Sequence, residues 1–122
     1  MPQAVTISLA HYRKAGQAAA YLEALIAGGE THLPSVAELC RLFVAGESVL
    51  SRAFKRRYCL TIHAFIIKGK MERAKKLLLQ PGCTVKEIAQ QLGYTELSNF
   101  SRDFTKLVGV SPSAFRLKHI AT

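Results

Sequence analysis

Two nine-residue stretches, LSRAFKRRY (50–58) and FSRDFTKLV (100–108), each place a Ser-Arg pair between apolar residues four apart. At helical spacing the apolar pair shares one face and the polar side chains another. In the first stretch Leu50 and Phe54 turn inward, and Ser48, Ser51, Arg52 and Lys55 share the outer face. In the second, Phe100 and Phe104 turn inward, with Ser98, Asn99, Ser101, Arg102 and Lys106 outward. Arginine can pair in bidentate fashion with guanine O6 and N7, and Ser and Asn make smaller base or phosphate contacts. Lys55, Arg56, Arg57 and Lys106 lie further along each helix, where they suit phosphates. A solvated basic face is the ordinary reading of one such helix. Two copies with the same placement favour a tool built twice.

Composition points the same way. The 122 residues carry a formal charge of +9 and a pI near 9.8, with 49% hydrophobic residues. Such a chain can bury a core, and its charge calls for a polyanionic partner. Nucleic acid leads, with an anionic membrane surface or simple solubility as plainer readings. Cys40, Cys59 and Cys83 are odd in number and lack C-x-x-C spacing, and His11, His32, His63 and His119 are scattered. No metal site, disulfide framework or cofactor is expected, and the thiols are read as buried or half-buried in a reducing cytosol. A thiol-dependent DNA-repair enzyme is disfavoured, because no Cys–His–acid constellation is visible. The N-terminus does not read as a signal peptide and no stretch suits a bilayer span, so a cytoplasmic, membrane-free chain is expected.

Helix signals dominate the elements that must carry these faces. AGQAAAYLEALIA (15–27) has an apolar stripe of Ala18, Tyr21, Leu22, Leu25 and Ile26, stopped by Gly28-Gly29. Whether Tyr12, Arg13 and Lys14 belong to an N-terminal tail is left open by the pattern. Ser35 and Glu38 have capping-box spacing before a helix that buries Val36, Leu39, Cys40 and Phe43. A second helix runs from Ser48 to about Tyr58, and a longer one from about Ile62 to Leu79 ends at Gln80-Pro81-Gly82. The first pattern then returns: Thr84 and Glu87 form another capping box, followed by Val85, Ile88, Ala89 and Leu92 on one face. Gly93 suits a turn with positive φ, a further helix covers about Glu96–Val108, and Ser111-Pro112 starts a last one.

The order short helix, tight turn, longer helix therefore occurs twice, joined by one long helix. Helix-turn-helix units use this plan to lay the second helix in the major groove. The joining helix, at about 1.5 Å per residue, spans about 27 Å, suited to recognition helices one DNA turn (about 34 Å) apart. It is also basic: Lys68, Lys70, Arg73, Lys75 and Lys76 are answered only by Glu72.

ELCRLF, SVLSRAFKRRY, KMERAKKLLLQ and, above all, TVKEIAQQLGYTELSNFSRDFTKLVGVSPSAFR resemble the DNA-binding domain of AraC/XylS-type bacterial transcription regulators. The likeness covers about Ala15 to Leu117. It implies an all-α, homeodomain-like fold of about seven helices, with two helix-turn-helix subdomains and a long linking helix. It also implies promoter double-stranded DNA as the partner, and no enzymatic activity. Carried over by motif position, its base-reading sites fall on Ser48, Ser51 and Arg52, and on Leu97, Ser98, Asn99, Ser101 and Arg102. Phosphate contacts are assigned to Lys55, Arg56, Arg57, Lys68, Lys70, Arg73 and Lys106.

The expected organisation is a tail over 1–10, a DNA-binding domain over 11–118 and a tail over 119–122. Within the domain the first helix-turn-helix covers about 35–58, the linking helix 62–79 and the second helix-turn-helix 84–108. The first unit departs from the pattern: Val44 stands where the second has Gly93, Gly46 where a capping Ser is common, and Cys59 where the second has Gly109. An altered first turn is expected, since a β-branched residue disfavours positive φ. The competing reading makes the first unit a surface for RNA polymerase or another regulator, with weak DNA binding. The chain is expected to act as a monomer.

Overall fold

The computed structural model describes residues 7–120, which form seven α-helices and no strand. They are α1 (Leu9–Ala27), α2 (Val36–Phe43), α3 (Glu47–Tyr58), α4 (Ile62–Leu78), α5 (Val85–Gln91), α6 (Leu97–Val108) and α7 (Pro112–Ile120). Of the expected tails over 1–10 and 119–122, residues 1–6 and 121–122 lie outside the described residues, whereas 9–10 belong to α1 and 119–120 to α7. Helix α1 starts earlier than the apolar stripe indicates, because Ser8 caps it: the His11 amide donates to Ser8 Oγ at 3.2 Å and the Tyr12 amide to the Ser8 carbonyl at 3.0 Å. Tyr12, Arg13 and Lys14 are thereby helical.

The chain divides into two compact units, one of residues 7–24 and Pro34–Phe65, the other of Leu25–Leu33 and 66–120. In the first, Ala15, Ala18, Ala19, Leu22, Leu39, Leu50, Ala53, Phe54 and Ile62 are buried. Phe54, Tyr58 and Phe65 form a ring triangle with centroids 4.9–5.5 Å apart. In the second, Met71, Ala74, Leu78, Ile88, Ala89 and Leu92 surround a file of rings, Tyr94–Phe100–Phe104–Phe115, spaced 5.5–5.8 Å. Arg116 on α7 ties into the end of α4. Its Nε donates to the Leu78 carbonyl at 2.9 Å, satisfying an acceptor the helix end leaves without an internal partner.

Both capping boxes form. Ser35 accepts from the Glu38 amide at 3.2 Å and Thr84 from the Glu87 amide at 3.1 Å. Each Glu accepts in return from the cap residue's own amide. The two hydrogen bonds from Thr84, backbone first, hold the Glu87 carboxyl below its usual range.

The first turn is altered in length, as expected: three residues, Val44–Gly46, separate α2 from α3, against five, Leu92–Glu96, between α5 and α6. The left-handed residue is nonetheless retained. Val44 takes the left-handed conformation (φ 51°, ψ 65°), as Gly93 does at φ 89°. The same hydrogen bond closes both turns, Ala45 amide to Cys40 carbonyl and Tyr94 amide to Ala89 carbonyl, each 3.0 Å. The Val44 side chain is 77% exposed and meets no crowding, and Lys14 Nζ donates to the Val44 carbonyl at 2.6 Å. Cys59 likewise ends α3 at φ 60°, where Gly109 ends α6 at φ 95°. Its thiol is exposed, not buried or half-buried as the sequence reading had it.

Two tests follow from these backbone positions. Val44→Gly and Cys59→Gly should each stabilise by about 0.5–1 kcal/mol, the left-handed penalty less the extra freedom glycine has when unfolded, read as a higher urea midpoint. Gly93→Ala should act oppositely, because its Cβ would sit 2.7 Å from the Thr31 carbonyl oxygen in a left-handed residue. A further test uses pH. Because the folded Glu87 carboxyl is depressed, its stabilisation is complete above the unfolded carboxylate range and is lost as pH falls through the lower folded value. Glu87→Gln should reduce the fall in the urea midpoint between about pH 5 and pH 3.

Candidate nucleic-acid interface

The two longer helices of the repeats present the expected faces. On α3, Leu50, Ala53 and Phe54 are buried, Ser48 and Arg52 are exposed, and Ser51 is half-buried. On α6, Phe100 and Phe104 are buried, Leu97, Ser98 and Arg102 are exposed, and Asn99 and Ser101 are half-buried. Leu97 opens α6 with 43% of its surface accessible, so it is an apolar group on an otherwise polar edge. The N-caps of α3 and α6, Gly46 and Glu96, make no side-chain cap hydrogen bond, unlike those of α2 and α5. The first turns of α3 and α6, at the positive end of each helix dipole, thus lack a side-chain cap, although the Asn99 amide donates to the Glu96 carbonyl at 3.2 Å.

The basic residues divide. Lys55, Arg56, Lys68 and Lys106 are exposed. Arg57 is engaged within its own unit: Nη1 donates to the Tyr12 carbonyl at 2.7 Å, and the guanidinium lies 5.6 Å from the Tyr12 ring and 5.5 Å from the Tyr58 ring. A Cβ at Gly16 would collide with that guanidinium, so glycine there admits the close approach. Lys70 is half-buried over the Tyr94 ring at 5.2 Å. Burial lowers its pKa, and the nearby Asp103 carboxylate opposes that shift. Arg73 is half-buried.

The second unit also holds a pair that the repeat pattern did not single out. Tyr94 packs half-buried against the core of its unit and donates its hydroxyl to Asp103 Oδ2 at 2.7 Å. Asp103 Oδ1 lies 3.9 Å from Arg102 Nε. The signal was present in the sequence: Asp103 is the sole acid of α6, next to Arg102 and three residues before Lys106. Cys40 is half-buried, and burial pushes its thiol pKa up, which makes it a poor nucleophile. Among the described residues, no group of His, Cys, Asp and Glu could hold a metal ion.

A family described as a helix-turn-helix domain matches residues 39–118. The probable transcriptional regulator LumQ of Photobacterium leiognathi is 30% identical over 90 residues, covering 71% of this chain and 36% of LumQ. The chain thus spans little more than a third of that relative's length. A transcriptional regulator from Chromobacterium violaceum, described as AraC-type and DNA-binding, superposes with a TM-score of 0.79 at 20% identity, over 88% of this chain and 92% of that one. The DNA-binding domain of AdpA, in complex with a target DNA, gives 0.77 at 21% identity, over 88% and 94%. At these identities the two structures establish the fold.

The contacts of Arg57 predict a structural role. Arg57→Ala should lower stability by about 1 kcal/mol through loss of its hydrogen bond and ring contacts, whereas Arg56→Ala should stay within about 0.5 kcal/mol of the parent in urea unfolding.

Proposed function

Because the chain belongs to the AraC-type helix-turn-helix family, a family of transcription regulators and not of enzymes, we propose that it binds promoter DNA sequence-specifically through two recognition helices in successive major grooves. The observation that carries this reading is the repeated face on α3 and α6: an apolar stripe buried on the bracing helix, with Ser and Arg outward in the same places. In this reading Ser48, Ser51 and Arg52, and Leu97, Ser98, Asn99, Ser101 and Arg102, meet base edges. Leu97 offers an apolar contact to a thymine methyl. Lys55, Arg56, Lys68 and Lys106 meet phosphates, with Arg73 and Lys70 less free to do so and Arg57 acting chiefly to hold α1 on α3.

The chain is further proposed to act as a monomer in the cytoplasm. No helix among the described residues is long and apolar enough to cross a membrane. The reading of the first unit as a surface for RNA polymerase or another regulator draws support from exposed Leu42 and Val44, at and just before its turn. The left-handed residue and the closing hydrogen bond that the first turn shares with the second favour DNA binding there as well.

Selection of bound sites from random DNA duplexes should return two half-sites about ten base pairs apart. Arg52→Ala and Arg102→Ala should each cost about 1–3 kcal/mol on the selected site and relax preference at separate positions. Lys106→Ala should weaken all duplexes alike and reduce the salt slope by about one. Unchanged preference in both arginine variants would refute base reading.

A further inference from the structure

We propose that Tyr94 and Asp103 are positioning residues that orient the Arg102 guanidinium for base reading, an inference that rests on the base-reading role given to Arg102 above. Tyr94 follows the left-handed Gly93 directly, so its place is set by the turn itself. One side of its ring packs on Phe100 at 5.5 Å, and the Lys70 ammonium lies 5.2 Å from its centroid. Its hydroxyl donates to Asp103 Oδ2 at 2.7 Å, in a part-buried hydrogen bond. Burial and the adjacent carboxylate raise the phenol's pKa, so it remains a donor throughout the physiological range.

The carboxylate is thus held from behind, and its side chain is only 23% exposed. The other oxygen, Oδ1, faces Arg102 Nε at 3.9 Å, an ion pair without a hydrogen bond, while the Arg102 side chain is 72% exposed. Drawing Nε toward the helix leaves the Nη1 and Nη2 donors for an external acceptor pair, the arrangement guanine O6 and N7 require. A long side chain restrained before binding loses less rotamer freedom on binding. The first unit has no such device. By repeat position, Ala45 stands for Tyr94 and Ala53 for Asp103, so nothing equivalent orients Arg52.

The test compares binding of a duplex selected from random DNA by the parent protein with binding of a scrambled duplex of equal composition. Tyr94→Phe, which changes no charge, and Asp103→Asn should each lower the ratio of the two affinities about threefold to fivefold. Neither should lower it further in an Arg102→Ala background. Asp103→Asn should also raise affinity for the scrambled duplex, since a negative charge near phosphate is removed. If Arg102→Ala lowers the ratio and both Tyr94→Phe and Asp103→Asn leave it unchanged, the positioning role is refuted while base reading stands. An equal loss from Tyr94→Phe with and without Arg102 would show a structural effect only and also refute it. If Arg102→Ala leaves the ratio unchanged, the base-reading premise fails and the inference with it. Should Tyr94→Phe unfold, as read by circular dichroism, the Asp103→Asn arm decides.

Discussion

Each short bracing helix has to stop and reverse within a few residues, so that the following helix can lay its apolar stripe back on it. The chain meets this constraint by a left-handed residue after α2 and after α5, closed in both cases by a hydrogen bond from the next amide to a carbonyl of the helix just ended. The burial of Leu50 and Phe54, or of Phe100 and Phe104, depends on that reversal. So does the outward aim of Arg52 and Arg102. The two turns differ in length, yet the longer helix after each buries the same face, so the shape of each turn as a whole sets that helix's rotation about its own axis.

The two units meet this constraint with different chemistry. In the second, glycine supplies the conformation at no steric cost, and the Tyr94 hydroxyl then reaches forward to α6. In the first, valine takes the same conformation against its preference, with a lysine from α1 on its carbonyl. Arg57 joins α3 to α1 through the Tyr12 carbonyl. Helix α3 is thus steadied by α1, and α6 by contacts from its own turn.

Much of this was legible in the residues because it is periodic or local. The capping boxes at Ser35 and Thr84, the stop at Gly109 and the buried faces of α3 and α6 follow from spacing alone. The start of α1 was not legible from its apolar stripe, since the stripe is silent where Tyr12 and Lys14 face partners from distant sequence; Ser8 carried the boundary instead. The left-handed conformation of Val44 was not legible for a related reason. Propensity speaks against a left-handed valine, but a closing hydrogen bond and an uncrowded side chain outweigh a cost of about 1–2 kcal/mol. The fates of Arg57 and Lys70 were hidden because composition counts charges without saying which are already bound. Individual base and phosphate contacts depend on a partner molecule, and the spacing of side chains nominates them without ranking them.

The left-handed valine and cysteine also bear on how this sequence is held in a population. A valine codon becomes a glycine codon by one base change, and so does a cysteine codon. The relaxed alternatives therefore lie one mutational step away, and the strain at Val44 and Cys59 is not trapped by the genetic code.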